Sequence, residues 1–234
     1  MSMKITYVFH SCYIVETTKA VFVFDYYDGE IKELPMNKAV YFLNSHSHFD
    51  HCSEQMFTIA KKSNRTFIFS SDIKIHPNTD ERVIVVKERM TYKIDEMTLH
   101  TFHSTDMGVA FLLETEEGNL YHAGDLNWWH WDGETNEYNE QMGSDYKEEI
   151  ARIKEKDIQI DVAFLPLDQR LEKSYDWGMI YFMKHLEPRK VMPMHFFSEN
   201  FDICKNVSKE HNHFKDFQSQ FICIEKLNQV FLYN

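Results

Sequence analysis

The segment Asn44-Ser45-His46-Ser47-His48-Phe49-Asp50-His51 crowds three imidazoles and a carboxylate into one short stretch, directly after the apolar run Ala39–Leu43. Residues two apart in an extended chain point to the same side, so His46 and His48 can aim at one point. As the chain turns away from the strand, Asp50 and His51 can be presented to a second point nearby. Imidazole nitrogens and carboxylate oxygens hold Zn²⁺ without any thiolate. Two cations about 3.5–4 Å apart can share a hydroxide and clamp the attacking and leaving oxygens of a hydrolysis. The plain alternative is a histidine-rich surface turn. It explains neither the position between a strand and an expected helix nor the compatible side chains downstream.

One loop cannot supply a dinuclear site, and three later strand ends offer the rest. Asp125 lies in His122-Ala123-Gly124-Asp125, where Gly124 permits a close turn and the two carboxylate oxygens can bridge two cations. His195 ends the run Lys190–Met194, and His103 ends the segment from Tyr92 to Phe102.

The elements that must carry these residues are visible in the pattern. Strands are expected at Lys4–Phe9, Cys12–Thr17, Ala20–Asp25 and Ala39–Asn44, then at Thr66–Ser70 and Arg82–Lys87. Phe111–Glu114 and Asn119–His122 read as a hairpin across Glu116-Glu117-Gly118. Helices are expected at Ser53–Lys62, Glu140–Lys156, Trp177–Leu186 and Lys205–Phe221. Buried strands fall at Ile160–Leu167 and Lys190–Met194, with a closing strand pair in Ile222–Tyr233. Strands first and helices interleaved later suggest helices covering two packed sheets in one domain spanning residues 1–234.

Bulk properties narrow the function. The 234 residues carry 25 Lys and Arg against 37 Asp and Glu, a net charge of −12, which disfavours non-specific binding to nucleic acid. Cys12, Cys52, Cys204 and Cys223 are scattered and form neither a disulfide framework nor a zinc ribbon. The opening residues run straight into a strand pattern with no signal-peptide cleavage site, and no apolar stretch approaches the ~20 residues that span a bilayer. A cytoplasmic protein without a membrane partner is expected. Its oligomeric state is open.

His46-Ser47-His48-Phe49-Asp50-His51 has the H-x-H-x-D-H motif of the metallo-β-lactamase superfamily, and the resemblance extends over essentially the whole chain. Phe9-His10-Ser11-Cys12-Tyr13-Ile14-Val15, with Phe24-Asp25 behind it, is similar to the branch containing ascorbate-6-phosphate lactonase. Gly124-Asp125-Leu126-Asn127-Trp128-Trp129-His130-Trp131 is similar to a subgroup of bacterial hydrolases. The resemblance implies an α/β fold, a four-layer αβ/βα sandwich of two mixed sheets with flanking helices. It implies one metal on His46, His48 and His103, another on Asp50, His51 and His195, and Asp125 between them. Many relatives carry a second His and a Gly just behind the first; here the chain reads His103-Ser104-Thr105-Asp106-Met107-Gly108. The expected cofactor is a pair of divalent metal ions, Zn first, with Mn or Fe also compatible with His/Asp donors. The implied reaction is hydrolysis of a small-molecule ester, lactone, amide or phosphoester by a metal-activated hydroxide, with Asp50 orienting the nucleophile.

Other residues have plainer readings. His10 and His122 are expected as satisfied core histidines, Cys52 as a buried thiol, and His211 and His213 as solvated. Trp128, Trp129 and Trp131 fit equally a wall over the metals, filler under a loop or an oligomer contact. Arg170, in Asp168-Gln169-Arg170, fits a surface ion pair, or a bidentate clamp for an anion. Competing functions on the same pattern are a nucleotide or nucleic-acid phosphodiesterase, a diiron oxygen- or nitric-oxide-reducing protein, and a degenerate binding domain. The net charge disfavours the first, the missing flavin domain the second and the nearly complete ligand set the third.

Overall fold

A computed structural model describes residues 3–32, 34–59, 61, 64–77, 81–196, 201–210 and 212–233; among these, the side chains of 206, 208–210, 212, 213 and 215 are not described. His211, and the side chain of His213, thus lie outside the description. Thirteen strands form two mixed sheets. The first contains β1 (Met3–Phe9), β2 (Cys12–Glu16), β3 (Ala20–Phe24), β4 (Ala39–Asn44), β5 (Asn64–Ser70), β6 (Arg82–Val86) and β13 (Val230–Tyr233), in the order β13-β1-β2-β3-β4-β5-β6. Hairpin-linked strands pair antiparallel from β13 to β3, and from β3 to β6 all pairs are parallel. The second sheet contains β7 (Thr91–Ile94), β8 (Met97–His103), β9 (Val109–Thr115), β10 (Gly118–His122), β11 (Val162–Pro166) and β12 (Lys190–Met194), in the order β12-β11-β10-β9-β8-β7. Here β10, β11 and β12 run parallel and β7 to β10 alternate.

The inner faces meet in a core rich in aromatic rings. Tyr13 of the first sheet stacks on Phe164 of the second at 4.3 Å, and Phe24 lies 5.9 Å from the same ring. Helices α1 (Asn136–Lys154) and α2 (Trp177–Leu186) cover the outer face of the second sheet, Phe182 packing on Tyr121 at 4.7 Å. Thr135 caps α1, its hydroxyl accepting the Tyr138 N–H. Helix α3 (Asp202–Glu210) follows a Phe201 ring packed edge-on against Tyr7. The outer face of the first sheet, with Val21, Val40, Phe42, Phe67 and Phe69, is covered by Met56, Phe57 and Ile73 from the connections around β5.

Several expected elements are corrected. The helix expected at Ser53–Lys62 is a 3₁₀ turn at Glu54–Thr58 among the described residues. Arg65 Nη1 donates to the carbonyls of Phe57 and Ile59, at 3.0 and 2.6 Å, so a guanidinium satisfies oxygens that a continuing helix would use itself. The run from Tyr92 to His103 is a hairpin that turns at Asp95, whose φ is 51°. The helix expected at Lys205–Phe221 divides into α3 and a 3₁₀ segment, Asn212–Phe217. Of the expected closing strand pair, only β13 is formed; Phe221 contributes an isolated bridge to Val191.

What matters for the site is direction. β10, β11 and β12 are parallel, and their C-terminal ends release Asp125, Asp168 and His195 on one edge of the second sheet. The end of β4 releases the histidine loop, and Val109 N–H donates to Ser45 O at 2.9 Å, joining that loop to the start of β9.

Candidate metal centre

Two glycines let the loops meet. A Cβ on Gly108 (φ 71°) would stand 2.0 Å from Ser45 O, and one on Gly124 (φ 52°) would stand 2.7 Å from Ser45 Cβ. Only bare backbone fits at either position, and both φ values suit glycine. Three other residues at the centre, His10, Asp25 and His195, hold φ of 52°, 43° and 73° despite having side chains. Left-handed backbone at such residues costs energy, and the surrounding structure must impose it. His195 N–H donates to His10 O at 3.0 Å, tying two of the three together.

The side chains gather in two groups whose ligand-competent atoms lie within 4.8 Å of one another. The first holds His46, His48, Asp106 and Asp125; the second holds His10, Asp50, His51 and His195. Asp125 stands between them. Its Oδ2 is 3.4 Å from His46 Nε2, whereas Oδ1 is 3.2 Å from His51 Nε2 and 3.3 Å from His195 Nε2.

The second group is buried throughout, and its imidazoles are held from behind. His51 Nδ1–H donates to Asp25 Oδ2 at 2.8 Å, His195 Nδ1–H to Asp168 Oδ2 at 3.0 Å, and His10 Nδ1–H to Phe196 O at 3.0 Å. With Nδ1 so engaged, each ring is fixed in the tautomer that turns the Nε2 lone pair to the centre. His10 Nε2 lies 3.6 Å from Asp50 Oδ2. Asp25 also accepts from Ser45 N–H at 2.7 Å and Ser45 Oγ–H at 2.6 Å, and Ser45 Oγ lies 2.9 Å from His46 Nδ1. One buried carboxylate thus orients ligand-type residues of both groups.

Electrostatics match this arrangement. Burial opposes the charge of Asp125, but His51, His195 and His46 outweigh it and hold the carboxyl well below its usual range. Burial likewise opposes protonation of His195, yet Asp125 and Asp168 raise its pKa to about 9. His10 goes the other way: burial, then His195 and His51, push it down to about 2. His46 falls to about 4, by burial and the neighbouring His51. Packing imidazoles this closely around one carboxylate calls for something to be shared among them. His51 Nε2 and Asp125 Oδ1 are buried without a hydrogen-bond partner, although they lie 3.2 Å apart. Atoms of these types, stranded and convergent, fit divalent metal ions.

The structure brings together His46, His48, Asp50, His51, Asp125 and His195 from the sequence expectation and leaves out His103. That residue shares the strand parity of Thr101, whose hydroxyl bonds Lys87 O, so its ring turns outward. Its Nδ1 pairs with Glu88, its backbone N–H donates to Glu149 Oε1 at 2.8 Å, and its side chain is 47% exposed. Asp106 stands where His103 was expected, its Oδ2 3.6 Å from His48 Nδ1. His10 is the second correction: it belongs to the buried group, whereas His122 is indeed a core residue, with Nε2 on Ser11 O and Nδ1 accepting from Gly124 N–H. His10 and Asp106 escaped notice because neither belongs to the histidine motif. The available signal was position, one at the end of β1 and one three residues past the end of β8. Asp168 was noticed only as a neighbour of Arg170.

A cavity of about 250 Å³ opens over the centre, with Trp129, Trp131, Tyr138 and Arg170 among its walls. The three tryptophans divide. Trp129 donates from Nε1 to Asp125 O at 2.9 Å and stacks parallel to Trp131 at 6.2 Å, whereas Trp128 packs among Tyr146, Trp177 and Tyr181 under Lys147. Cys52, with its thiol pushed up to about 12 by burial and then by Asp25 and Asp72, packs with the outer core of the first sheet. No described helix is long and apolar enough to cross a membrane.

Residues 4–137 match a family model described as a beta-lactamase superfamily domain. The chain is 26% identical over 171 residues to a UPF0173 metal-dependent hydrolase of an Exiguobacterium species, spanning 67% of each protein. Among solved structures it is similar to Igni18, a metallo hydrolase of the archaeon Ignicoccus hospitalis, with a TM-score of 0.66, 16% identity, and coverage of 100% of this chain and 99% of that one. It is also similar to CmlA, a diiron β-hydroxylase of Streptomyces venezuelae, with a TM-score of 0.65, 13% identity, and coverage of 99% of this chain and 54% of that one. At such identities the two structural likenesses speak for the fold.

Proposed function

The chain belongs to the metallo-β-lactamase superfamily, and from that premise we propose that it is a metal-dependent hydrolase of a small molecule, working with two divalent ions. One observation carries the reading: the two oxygens of Asp125 face different ligand groups, each at 3.2–3.4 Å from imidazole Nε2 atoms. In this reading His46, His48 and Asp106 hold one ion, His51, His195 and Asp50 the other with His10 beside them, and Asp125 serves both. Bound there, the ions would acidify water and polarise the carbonyl or phosphoryl group under attack.

The chain's own residues do the rest. Asp25 and Asp168 keep His51 and His195 in the ligating tautomer, and Asp25 reaches His46 through Ser45. Asp50 lines the cavity with a carboxylate oxygen available to orient a water and accept its proton. Trp129 and Trp131 keep bulk water from the side of His195, where the Trp129 ring lies 5.4 Å from the imidazole. The scissile bond is that of an ester, lactone, amide or phosphoester. A nucleotide phosphodiesterase remains the alternative, against which the net charge of −12 stands.

A second reading has one observation behind it. The first group pairs two imidazoles with two carboxylates, and oxygen donors suit Mn and Fe better than an all-imidazole set does. Oxidative chemistry at an iron pair would use the same residues. The test for both is elemental analysis of the purified protein followed by a panel of lactones, esters, thioesters, β-lactams and phosphodiesters. Two equivalents of metal and hydrolysis abolished by a chelator are expected. Iron with a visible charge-transfer band and no hydrolysis would favour the second reading, and a protein that binds no metal would end both.

A further inference from the structure

The cavity over the centre has an asymmetric lining that bears on the substrate. Its floor carries the carboxylates of Asp50, Asp106 and Asp125, and its one Lys or Arg among the described lining residues is Arg170. This guanidinium is held on two sides. Its Nε donates to both oxygens of Asp168, at 3.0 and 2.9 Å, and its Nη2 donates to Oδ2 at 2.5 Å. Its carbon centre sits 5.7 Å over the Trp131 ring, which itself lies parallel to Trp129. Asp168 grips the Nε–Nη2 edge, so the terminal Nη1–Nη2 edge of the planar fork is directed elsewhere. The side chain is 51% exposed. Burial disfavours its charge, but Asp168, then Asp125 and Asp50, more than restore it, so the guanidinium lies within electrostatic reach of the metal-centre carboxylates.

The same Asp168 oxygen that takes Nη2 also takes His195 Nδ1. Arg170 is therefore indexed to a ligand-type histidine through one shared atom, and its distance from the centre is fixed. A cation held at a set distance from a reactive centre, beside a flat aromatic wall, selects for a ligand with three matching parts. Two dications against the three floor carboxylates would leave that floor net positive, which also draws an anion in.

We propose that Arg170 and Trp131 form a subsite for an anionic group, so that the substrate is a small carboxylate- or phosphate-bearing molecule with a flat body lying along Trp131 and its scissile bond over the metal centre. The proposal rests on the hydrolase reading for the last of these parts only. A cavity of about 250 Å³ lies below the ~300–1,000 Å³ typical of sites for drug-sized ligands, so the molecule is a compact metabolite. Guanidinium recognition of a carboxylate or a phosphate uses the same paired donors, and the two sources are separated by the probes below.

The experiment measures binding and metal content together on metal-loaded protein. Quenching of tryptophan fluorescence reports binding of 4-nitrobenzoate, 4-nitrophenyl phosphate and the neutral 4-nitrobenzamide to wild type, Arg170→Gln and Arg170→Lys. Wild type is expected to bind one of the anions at least about tenfold more tightly than the amide. Arg170→Gln should lose that preference without a change in metal content or in amide binding, and Arg170→Lys should keep part of it. Trp131→Ala should weaken all three probes alike. If Arg170→Gln folds, holds its metals and still prefers the anion to the same degree, the anion sits on the metals and the subsite is refuted. If Arg170→Gln fails to fold, the Lys variant decides, because a preference unchanged or absent in wild type refutes it equally. Hydrolysis measured on the same preparations separates the two ideas: anion preference without any hydrolysis leaves the subsite and removes the hydrolase, whereas hydrolysis indifferent to charge does the reverse.

Discussion

The two halves of the centre are built differently. His10, Asp50, His51 and His195 are buried, and each of the three imidazoles has its Nδ1 engaged by a carboxylate or a main-chain carbonyl. The opposite half has one buried imidazole, His46, while His48 and Asp106 have side chains 41% and 47% exposed. Burial fixes orientation by leaving a polar group no alternative partner; exposure lets water compete for the same atoms. The buried half is thus preorganised for an ion, and the open half faces the cavity through which substrate and solvent must arrive. From this we expect the two ions to differ in affinity, the buried site loading first and the open site exchanging more readily.

Removing the residue that belongs to both halves should have the largest effect. Asp125→Ala is expected to lower metal content below one equivalent and activity by more than ~100-fold, since it withdraws a donor from each ion; elemental analysis and steady-state kinetics check this. Two bound ions in that variant would show that the halves are independent. Next come the supports of the buried half. Asp168→Asn should weaken the tighter ion by about 10–100-fold in a competitive chelator titration, with little change in the weaker one. An equal loss at both ions would erase the distinction drawn here.

The open half is sharpened by a pair of variants. Asp106→Ala is expected to weaken the second equivalent about tenfold, whereas His103→Ala leaves both equivalents within about twofold. The reverse outcome would restore the strand-end histidine to the site. The smallest effect concerns Cys52, which adjoins the buried half. Its thiol is raised to about 12, so the reactive thiolate is scarce below that pH. Iodoacetamide should label it slowly at pH 8–9, where an ordinary thiol of pKa ~8.5 is half ionised, and faster only as the pH approaches 12. Rapid labelling at pH 8 would mean that the loop opens.

Legibility followed periodicity and local motif. β4, α2 and β12 lie where the apolar pattern placed them, and the fold class follows from the order of strands and helices. The failed helix at 53–62 shows the limit of that pattern. Arg65, beyond the end of that segment, takes the carbonyls a helix would have used, and no window on residues 53–62 contains it. His103 fails for a related reason. Its position at a strand end was readable, but the side to which its ring turns depends on the partners of β8, with Glu88 and Glu149 waiting on the outer face.

By itself the chain determined that imidazoles and carboxylates would cluster after β4, because His46 to His51 are neighbours whose geometry is set by local backbone. It also placed Asp125 and His195 at strand ends, since apolar runs stop there. Tertiary structure alone decided the remaining members: His10 and Asp106 come from β1 and from the turn after β8, and Asp25 and Asp168 from two further strand ends. Their meeting rests on Gly108 and Gly124 pressing bare backbone against Ser45, a contact between loops more than 60 residues apart in sequence. Local propensity carries no information about such an approach, which exists only once both sheets have packed.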